Sequence, residues 1–154
     1  FDPAQQIPRL TSEQLRGGVE GAEIVIGNDY EIALIKKRTG LSKTQLLTKA
    51  RIVVTTLGEK GSLIETGGQQ ITVGIAKPKA VVDPTGAGDA YIAGFIAGYR
   101  RQLSLQICGQ MGATAAVYAI EQYGTQNHAF TVDEFKKRYS QAFNSPAPSF
   151  WGGA

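Results

Sequence analysis

The apolar residues of this chain follow two patterns: short continuous runs, and longer stretches in which they recur every three or four positions. Continuous β-branched runs, such as Ile24-Val25-Ile26 and Ile52-Val53-Val54, are typical of buried strands, and the longer spacing is typical of helices. We expect strands over residues 22–27, 51–56, 62–65 and 70–74, an extended segment over 80–82, and helices over 12–20, 28–39, 42–49, 87–102, 104–122 and 132–143. Because strands alternate with helices, the pattern predicts an α/β fold with a mainly parallel sheet and one hairpin at Gly67-Gly68.

Composition and charge exclude several classes of protein. Sixteen basic and thirteen acidic residues leave a net charge of +3, and the basic clusters around Lys36, Arg100 and Lys136 are far apart in the sequence. Separate clusters favour solvated helix faces over a nucleic-acid surface. The apolar stretch 90–99 is too short to cross a bilayer, so we expect no membrane partner. Cys108 is the only cysteine, which excludes an internal disulfide and favours a reducing, cytoplasmic location.

The segment Asp83-Pro84-Thr85-Gly86-Ala87-Gly88-Asp89 carries the strongest chemical signal in the chain. Two glycines around an alanine allow backbone N–H groups to turn toward an anion, and the helix that follows directs its positive end to the same point. Asp89 lies in the first helical turn, where the helix dipole favours the ionised carboxylate. A base beside a phosphate cradle indicates phosphoryl transfer, whereas a tight loop with an ordinary helix cap is the alternative. The segment matches neither the P-loop nor the dinucleotide-binding motif.

Residues 83–96 resemble, position by position, the C-terminal signature of the ribokinase-like (PfkB) family of carbohydrate and nucleoside kinases. The resemblance implies a three-layer α/β/α sandwich with a mainly parallel sheet, of which this chain is the C-terminal portion. Residues 1–144 would be the nucleotide-binding and catalytic half of the kinase domain, and 145–154 a flexible tail. By resemblance, Gly86, Ala87 and Gly88 form an anion hole for the transferring phosphoryl group, and Asp89 takes the proton from the acceptor hydroxyl.

The segment Asn28-Asp29-Tyr30-Glu31 follows the first predicted strand and resembles the Asn-x-x-Glu motif of the same family. Asn28 and Glu31 are three residues apart and therefore share one helix face. The family uses these polar groups to organise Mg²⁺ and its waters around the nucleotide phosphates, and the resemblance implies the same role here. An Asn cap with Glu three residues later is also an ordinary capping box, which remains the alternative.

A second set of residues resembles the nucleotide contacts of the family. The strand end and glycine turn at 55–61 resemble the Thr-x-Gly-x-x-Gly segment, which implies ATP contacts by Thr56, Gly58 and Gly61. Lys60 is placed to reach a phosphate, although a lysine in a turn is usually only solvated. Gly112 lies in a helix of small residues that would border the adenine, and core packing explains such a helix equally well.

Several relatives in this family hold a monovalent cation with backbone carbonyls beside the anion hole. The corresponding positions for a possible K⁺ ion are Asp83, Thr85, Ala119, Gly124 and His128. Carbonyl ligation depends little on side-chain identity, so the sequence permits this site without requiring it. His128 is the only histidine and has no metal-binding partner at useful spacing, which excludes a zinc site.

The resemblance as a whole implies an ATP- and Mg²⁺-dependent kinase acting on a hydroxymethyl group of a nucleoside or sugar. The forms Asp83-Pro84-Thr85 and Tyr123-Gly124-Thr125-Gln126 resemble kinases of the bacterial adenosine kinase type more than ribokinase itself, and this resemblance favours adenosine as acceptor. Family members are longer, and their first half supplies the acceptor pocket and a lid through which a homodimer would form. We therefore expect the isolated chain to be inactive. A sugar kinase of the same family, or a non-catalytic fragment that binds nucleotide or a partner protein, is the alternative. Phe150 and Trp151 are candidates to anchor the tail to a partner or to the other half of the kinase.

Overall fold

A computed structural model describes residues 1–149 of the chain, which form two compact units, one at Phe1–Thr72 and one that begins at Val73. The elements up to the junction are a 3₁₀ helix at Ala4–Arg9, α1 at Ser12–Val19, β1 at Ile24–Asn28, α2 at Asp29–Thr39, α3 at Lys43–Lys49, β2 at Ile52–Thr56, a 3₁₀ turn at Gly58–Lys60, β3 at Ser62–Glu65 and β4 at Gln70–Val73. Three helices follow in the second unit: α4 at Ala87–Tyr99, α5 at Leu105–Ile120 and α6 at Val132–Phe143.

The four strands form one sheet in the order β1-β2-β3-β4. β1 and β2 are parallel, as predicted, and their pairing sets Asn28 opposite Thr56 at the carboxyl ends. β3 is antiparallel to β2 because the short turn between them reverses the chain, so the sheet of these residues is mixed. On the other side of β1, the amino group of Phe1 donates to Ile24 O at 2.6 Å and the Phe1 carbonyl accepts from the N–H of Ile26 at 3.1 Å.

The first unit folds around a core of aliphatic side chains, because β1, β2 and three helices each bury an apolar face there. Each of these helices begins with a capping box, in which the N-cap side chain and a Gln or Glu three residues later bond each other's backbone N–H groups. The apolar pattern therefore determines which face of each helix and strand is buried, and the capping boxes determine where the helices begin. The N-cap residues are Thr11, Asn28 and Ser42.

The second unit is built on a close contact between α4 and α5. A Cβ atom added at Gly94 would lie 2.5 Å from Met111 O, and one added at Gly112 would lie 2.8 Å from Tyr91 O. Both distances are too short for any side chain, so the two helices meet backbone to backbone. α6 packs against α5 through Phe135 and Tyr139, which are both buried.

The predicted helices and strands are present, and the main differences from the prediction lie at one helix end and in two connecting segments. α4 stops at Tyr99 rather than at position 102, and Gln102 adopts a left-handed φ of 57°. The segment 80–82 forms no strand in the described part of the chain, because the N–H of Val82 donates to Ile120 O at 2.8 Å at the end of α5. The 3₁₀ helix at Ala4–Arg9, which contains Pro8, was not predicted from the sequence.

The chain after α6 was predicted to be a flexible tail from residue 145. Residues 145–149 form no helix or strand, and Ala147 packs against the core shared by α5 and α6. Phe150 and Trp151 lie outside the described residues. Within residues 1–149, no helix combines the length and the apolar character that crossing a membrane requires.

Candidate active site

The phosphate-binding turn predicted at Gly86–Asp89 is formed where α4 begins. Gly86 is the N-cap residue and has a φ of 85°, a left-handed conformation that glycine adopts without steric cost. The N–H of Ala87 donates back to Pro84 O at 3.2 Å, whereas the N–H groups of Gly88 and Asp89 have no acceptor within residues 1–149. These two free donors lie at the positive end of a 13-residue helix. The arrangement can bind an anion, with the exposed Asp89 carboxylate in the same helical turn.

The turn is supported from behind by the loop that follows α5. A Cβ atom at Gly86 would lie 3.1 Å from Thr125 O, so the two backbones are in direct contact. The Asp83 carboxylate accepts the N–H of Thr85 at 2.9 Å and the N–H of Gly124 at 3.0 Å. Hydrogen bonds from the hydroxyl and N–H of Thr85, and then from the N–H of Gly124, hold the pKa of Asp83 below its ordinary value.

The five positions predicted for a monovalent cation are only partly brought together. Asp83, Thr85 and Gly124 are joined by hydrogen bonds, in which both carboxylate oxygens of Asp83 accept backbone N–H groups. The carbonyl of Ala119 already accepts the N–H of Glu121, the C-cap residue of α5, and the N–H of Gln122 at 3.2 Å. The ring of His128 stacks on Phe130 with 6.5 Å between centroids, and its buried Nδ1 has no hydrogen-bond partner within residues 1–149.

In the first unit, Asn28 and Glu31 form a reciprocal cap at the end of β1. Asn28 Oδ1 accepts the N–H of Glu31, and Glu31 Oε2 accepts the N–H of Asn28, both at 2.8 Å. A Cβ atom at Gly27 would lie 3.0 Å from Glu31 Oε2, so glycine leaves room for this carboxylate over the strand end. The capping role considered as the alternative is thus present, and the same two side chains stand at the carboxyl ends of the parallel strands.

The predicted nucleotide contacts of the first unit surround the turn after β2. Thr56 lies opposite Asn28 in the β1–β2 pairing, which brings these two predicted site residues together. The turn closes with the N–H of Leu57 donating to Gly61 O at 2.8 Å, and Lys60 is exposed in it. Gly112 lies in the second unit, buried against Tyr91, so its observed contact is one of helix packing.

The side chains available as ligands determine how a Mg²⁺ ion would be held. Within residues 1–149, no group of three or more His, Cys, Asp or Glu side chains could hold a metal ion. Mg²⁺ usually retains several waters and is bound by one or two carboxylates together with substrate phosphates. The Asn28–Glu31 pair, whose oxygens already accept backbone N–H groups, fits such a water-mediated role and does not fit a dedicated protein cage.

Three residues near the turn were not predicted from the sequence. Thr125 backs Gly86 by main-chain contact, which no sequence pattern signals. Glu121 and Arg138 form an ion pair at 2.8 Å, with their side chains 13% and 11% exposed. The sequence carries one signal for this pair. Glu121 lies at the predicted helix end, where a carboxylate is unfavourable against the helix dipole unless a cation compensates it.

The chain is similar to kinases of known sequence and structure. The sequence profile of the pfkB family carbohydrate kinase matches residues 1–131. A nucleoside kinase from Methanocaldococcus jannaschii is 33% identical over 138 residues, which cover 90% of this chain and 46% of the relative. An uncharacterized sugar kinase from Archaeoglobus fulgidus is 43% identical over 128 residues, which cover 82% of this chain and 51% of the relative.

The structural comparison gives the same result. The nucleoside kinase of Burkholderia thailandensis in complex with inosine matches with a TM-score of 0.92 at 29% identity, over 95% of this chain and 48% of that one. The chain therefore spans about half the length of the proteins that it matches.

Proposed function

Since this chain belongs to the pfkB family of carbohydrate kinases, we propose that the protein carrying it transfers the γ-phosphate of ATP to a hydroxymethyl group of a nucleoside. The predicted ribokinase-like α/β fold is confirmed by the high TM-scores of solved members of that fold. The function of the chain in this protein is to bind the phosphates and to supply the catalytic base.

The observation that carries the proposal is the turn at Gly86–Asp89. Free N–H groups of Gly88 and Asp89 lie at the start of α4, and an exposed carboxylate stands in the same turn. Phosphoryl transfer requires charge stabilisation, positioning and one base, with little covalent chemistry from the protein. The turn supplies the first and the last of these requirements within four residues.

The reaction assigns a separate task to each part of the turn. Asp89 accepts the proton of the acceptor hydroxyl, and the oxygen of that hydroxyl forms a bond to the γ-phosphorus. The bond from the γ-phosphorus to the oxygen bridging the β- and γ-phosphates breaks, and ADP leaves. The N–H groups of Gly88 and Asp89 donate to the equatorial oxygens of the transferring group, whose negative charge they stabilise. The resemblance to the family assigns the nucleotide contacts to Thr56, Gly58, Lys60 and Gly61, which would lie along the ATP.

Two cations belong to the proposal. Mg²⁺, bound to the nucleotide phosphates, would neutralise their charge, and Asn28 and Glu31 would hold its waters at the end of β1. A K⁺ ion beside the turn would be bound by carbonyls near Asp83 and Gly124, and Ala119 would first have to release its backbone hydrogen bonds. ATP as phosphate donor and an unpaired cysteine support a cytoplasmic location.

The acceptor is proposed to be a nucleoside, with adenosine as the first choice within that class. The Methanocaldococcus jannaschii relative is a nucleoside kinase, and the Burkholderia thailandensis structure is a nucleoside kinase in complex with inosine. A sugar kinase is the second candidate, because the Archaeoglobus fulgidus relative bears that name at 43% identity. A panel of nucleosides and sugars with ATP decides between them, and a sugar that is phosphorylated faster than every nucleoside would overturn the nucleoside assignment.

Replacement of the proposed base tests the mechanism. In the full-length protein, Asp89→Asn keeps the shape of the side chain and removes the base, so turnover should fall by roughly two to four orders of magnitude. ATP binding, measured by thermal shift, should persist. Asp133→Asn is the matched control, because Asp133 is also exposed in the first turn of a helix. Turnover in Asp89→Asn equal to that of the control would exclude Asp89 as the base.

A further inference from the structure

The residues before the phosphate-binding turn are held by backbone contacts to the end of α5. The N–H groups of Val82 and Asp83 both donate to Ile120 O, at 2.8 and 3.2 Å. Together with the Asp83–Gly124 hydrogen bond, these contacts make the position of the turn depend on the position of residues 120–125.

The end of α5 also carries an ion pair to α6. Glu121 is the C-cap residue of α5, where a carboxylate opposes the helix dipole. Its Oε2 accepts from the Arg138 guanidinium of α6 at 2.8 Å, and its Oε1 accepts the N–H of Lys79 at 2.6 Å. The guanidinium also lies 4.4 Å from the ring centroid of Tyr118, one turn earlier in α5. A single carboxylate therefore joins three segments that are distant in sequence.

The pair is well shielded, which gives it more effect than a surface ion pair. The two side chains are 11% and 13% exposed, whereas the Arg51–Glu23 pair of the first unit is 73% and 51% exposed. Burial by itself would raise the pKa of Glu121, but the hydrogen bonds from Arg138 and from the N–H of Lys79 lower it. Removing one partner of a shielded pair leaves a charge without compensation, which is far more disruptive than losing a solvated pair.

We propose that the Glu121–Arg138 ion pair is a positioning device for the phosphate-binding turn, acting through the end of α5 on residues 79–86. The inference rests on the proposed kinase function for its catalytic consequence, but its structural part stands on the contacts alone. The hydrogen bonds and ion pair of Glu121 and Arg138, within residues 1–149, join them to each other and to Lys79 and not to residues 86–89. Loss of the pair should therefore leave the groups of the turn intact and change where they are held.

Amide hydrogen exchange tests the structural part. In the Arg138→Met variant of the full-length protein, the amides of Val82, Asp83, Thr85 and Gly124, which are hydrogen-bonded in this network, should exchange at least about tenfold faster than in the wild type. Lys137→Met is the matched control, because Lys137 precedes Arg138 on α6 and is exposed, and it should leave these amides unchanged. Should Arg138→Met fail to fold, Glu121→Gln removes the same charge attraction while keeping an acceptor for Lys79.

Kinetics of the full-length protein test the catalytic part. Misplacement of the turn should lower kcat by about tenfold to a hundredfold in Arg138→Met, with little change in the KM of the acceptor. Arg138→Lys restores a cation beside Glu121 and should recover part of the loss. Unchanged exchange at the four amides, or equal acceleration throughout α4 and α5, would refute the positioning role. Absence of acceptor phosphorylation in the wild type would refute the kinase proposal instead, and the exchange comparison would still decide the role of the pair.

Discussion

The close approach of Gly94 of α4 to Met111 of α5 allows a prediction in which the same substitution has opposite effects at two glycines. In Gly94→Ala, the new Cβ would lie 2.5 Å from Met111 O and 2.9 Å from Gly112 Cα. These neighbours are backbone atoms, so the helices must separate. Such overpacking costs about 1–3 kcal/mol, here at the upper end, while alanine returns about 1 kcal/mol of helix propensity. We expect the free energy of unfolding to fall by about 2 kcal/mol.

Gly17→Ala is the matched control, because Gly17 lies in α1 and a Cβ there would meet no atom within 4 Å. With no steric cost, alanine should raise the free energy of unfolding by about 0.5–1 kcal/mol. Urea unfolding followed by circular dichroism measures both variants. If Gly94→Ala were as stable as the wild type, or stabilised as Gly17→Ala is, the proposed backbone contact between α4 and α5 would be refuted.

Two further predictions concern the turn and the cysteine. A Cβ at Gly88 meets no atom within 4 Å, so the Gly88→Ala variant should fold normally. The added methyl group would hinder the approach of the phosphates to the backbone, so ATP and Mg²⁺ should no longer raise the Tm of the variant. A Tm that still rises would show that the phosphates bind elsewhere. Burial raises the pKa of the Cys108 thiol from 9.0 to about 11. The folded state therefore gains stability that is fully present below pH 9 and lost as the pH rises to about 11, and urea midpoints of wild type and Cys108→Ala should converge over that interval. Parallel midpoints across this range would contradict the shift.

The parts of the fold that follow from local chemistry could be predicted from the sequence. α2 begins where Asn28 and Glu31 cap each other, and β2 is a β-branched run, so neither requires knowledge of distant residues. The end of α4 could not be predicted, because residues 100–102 carry no glycine or proline that stops a helix. The segment 80–82 was expected to be extended, and its hydrogen-bond partner could not be predicted because that partner is the end of α5, some forty residues later.

The candidate site divides in the same way. The turn at Gly86–Asp89 is continuous in sequence, so its motif predicts both the backbone shape and the residues. Its support is not continuous: Thr125, Glu121 and Arg138 act through tertiary contacts that only the folded chain brings together. The catalytic assignments remain predictions, and the experiments on Asp89 and Arg138 separate the chemistry of the turn from its placement.

The reciprocal cap of Asn28 and Glu31 affects how substitutions at these two residues would be interpreted in a mutational screen. The same two side chains start α2 and are proposed to order the waters of the metal ion, so one substitution perturbs both folding and catalysis. A mutational screen scored on activity alone would record them as metal residues, and a screen scored on protein abundance alone would record them as helix caps. Only variants such as Asn28→Asp, which keeps an N-cap acceptor while changing the charge offered to the waters, separate the two contributions. A substitution that removes the metal role also weakens the start of α2, and selection for stability would oppose it. A non-catalytic descendant of this chain would therefore retain the Asn-x-x-Glu pair as a helix cap.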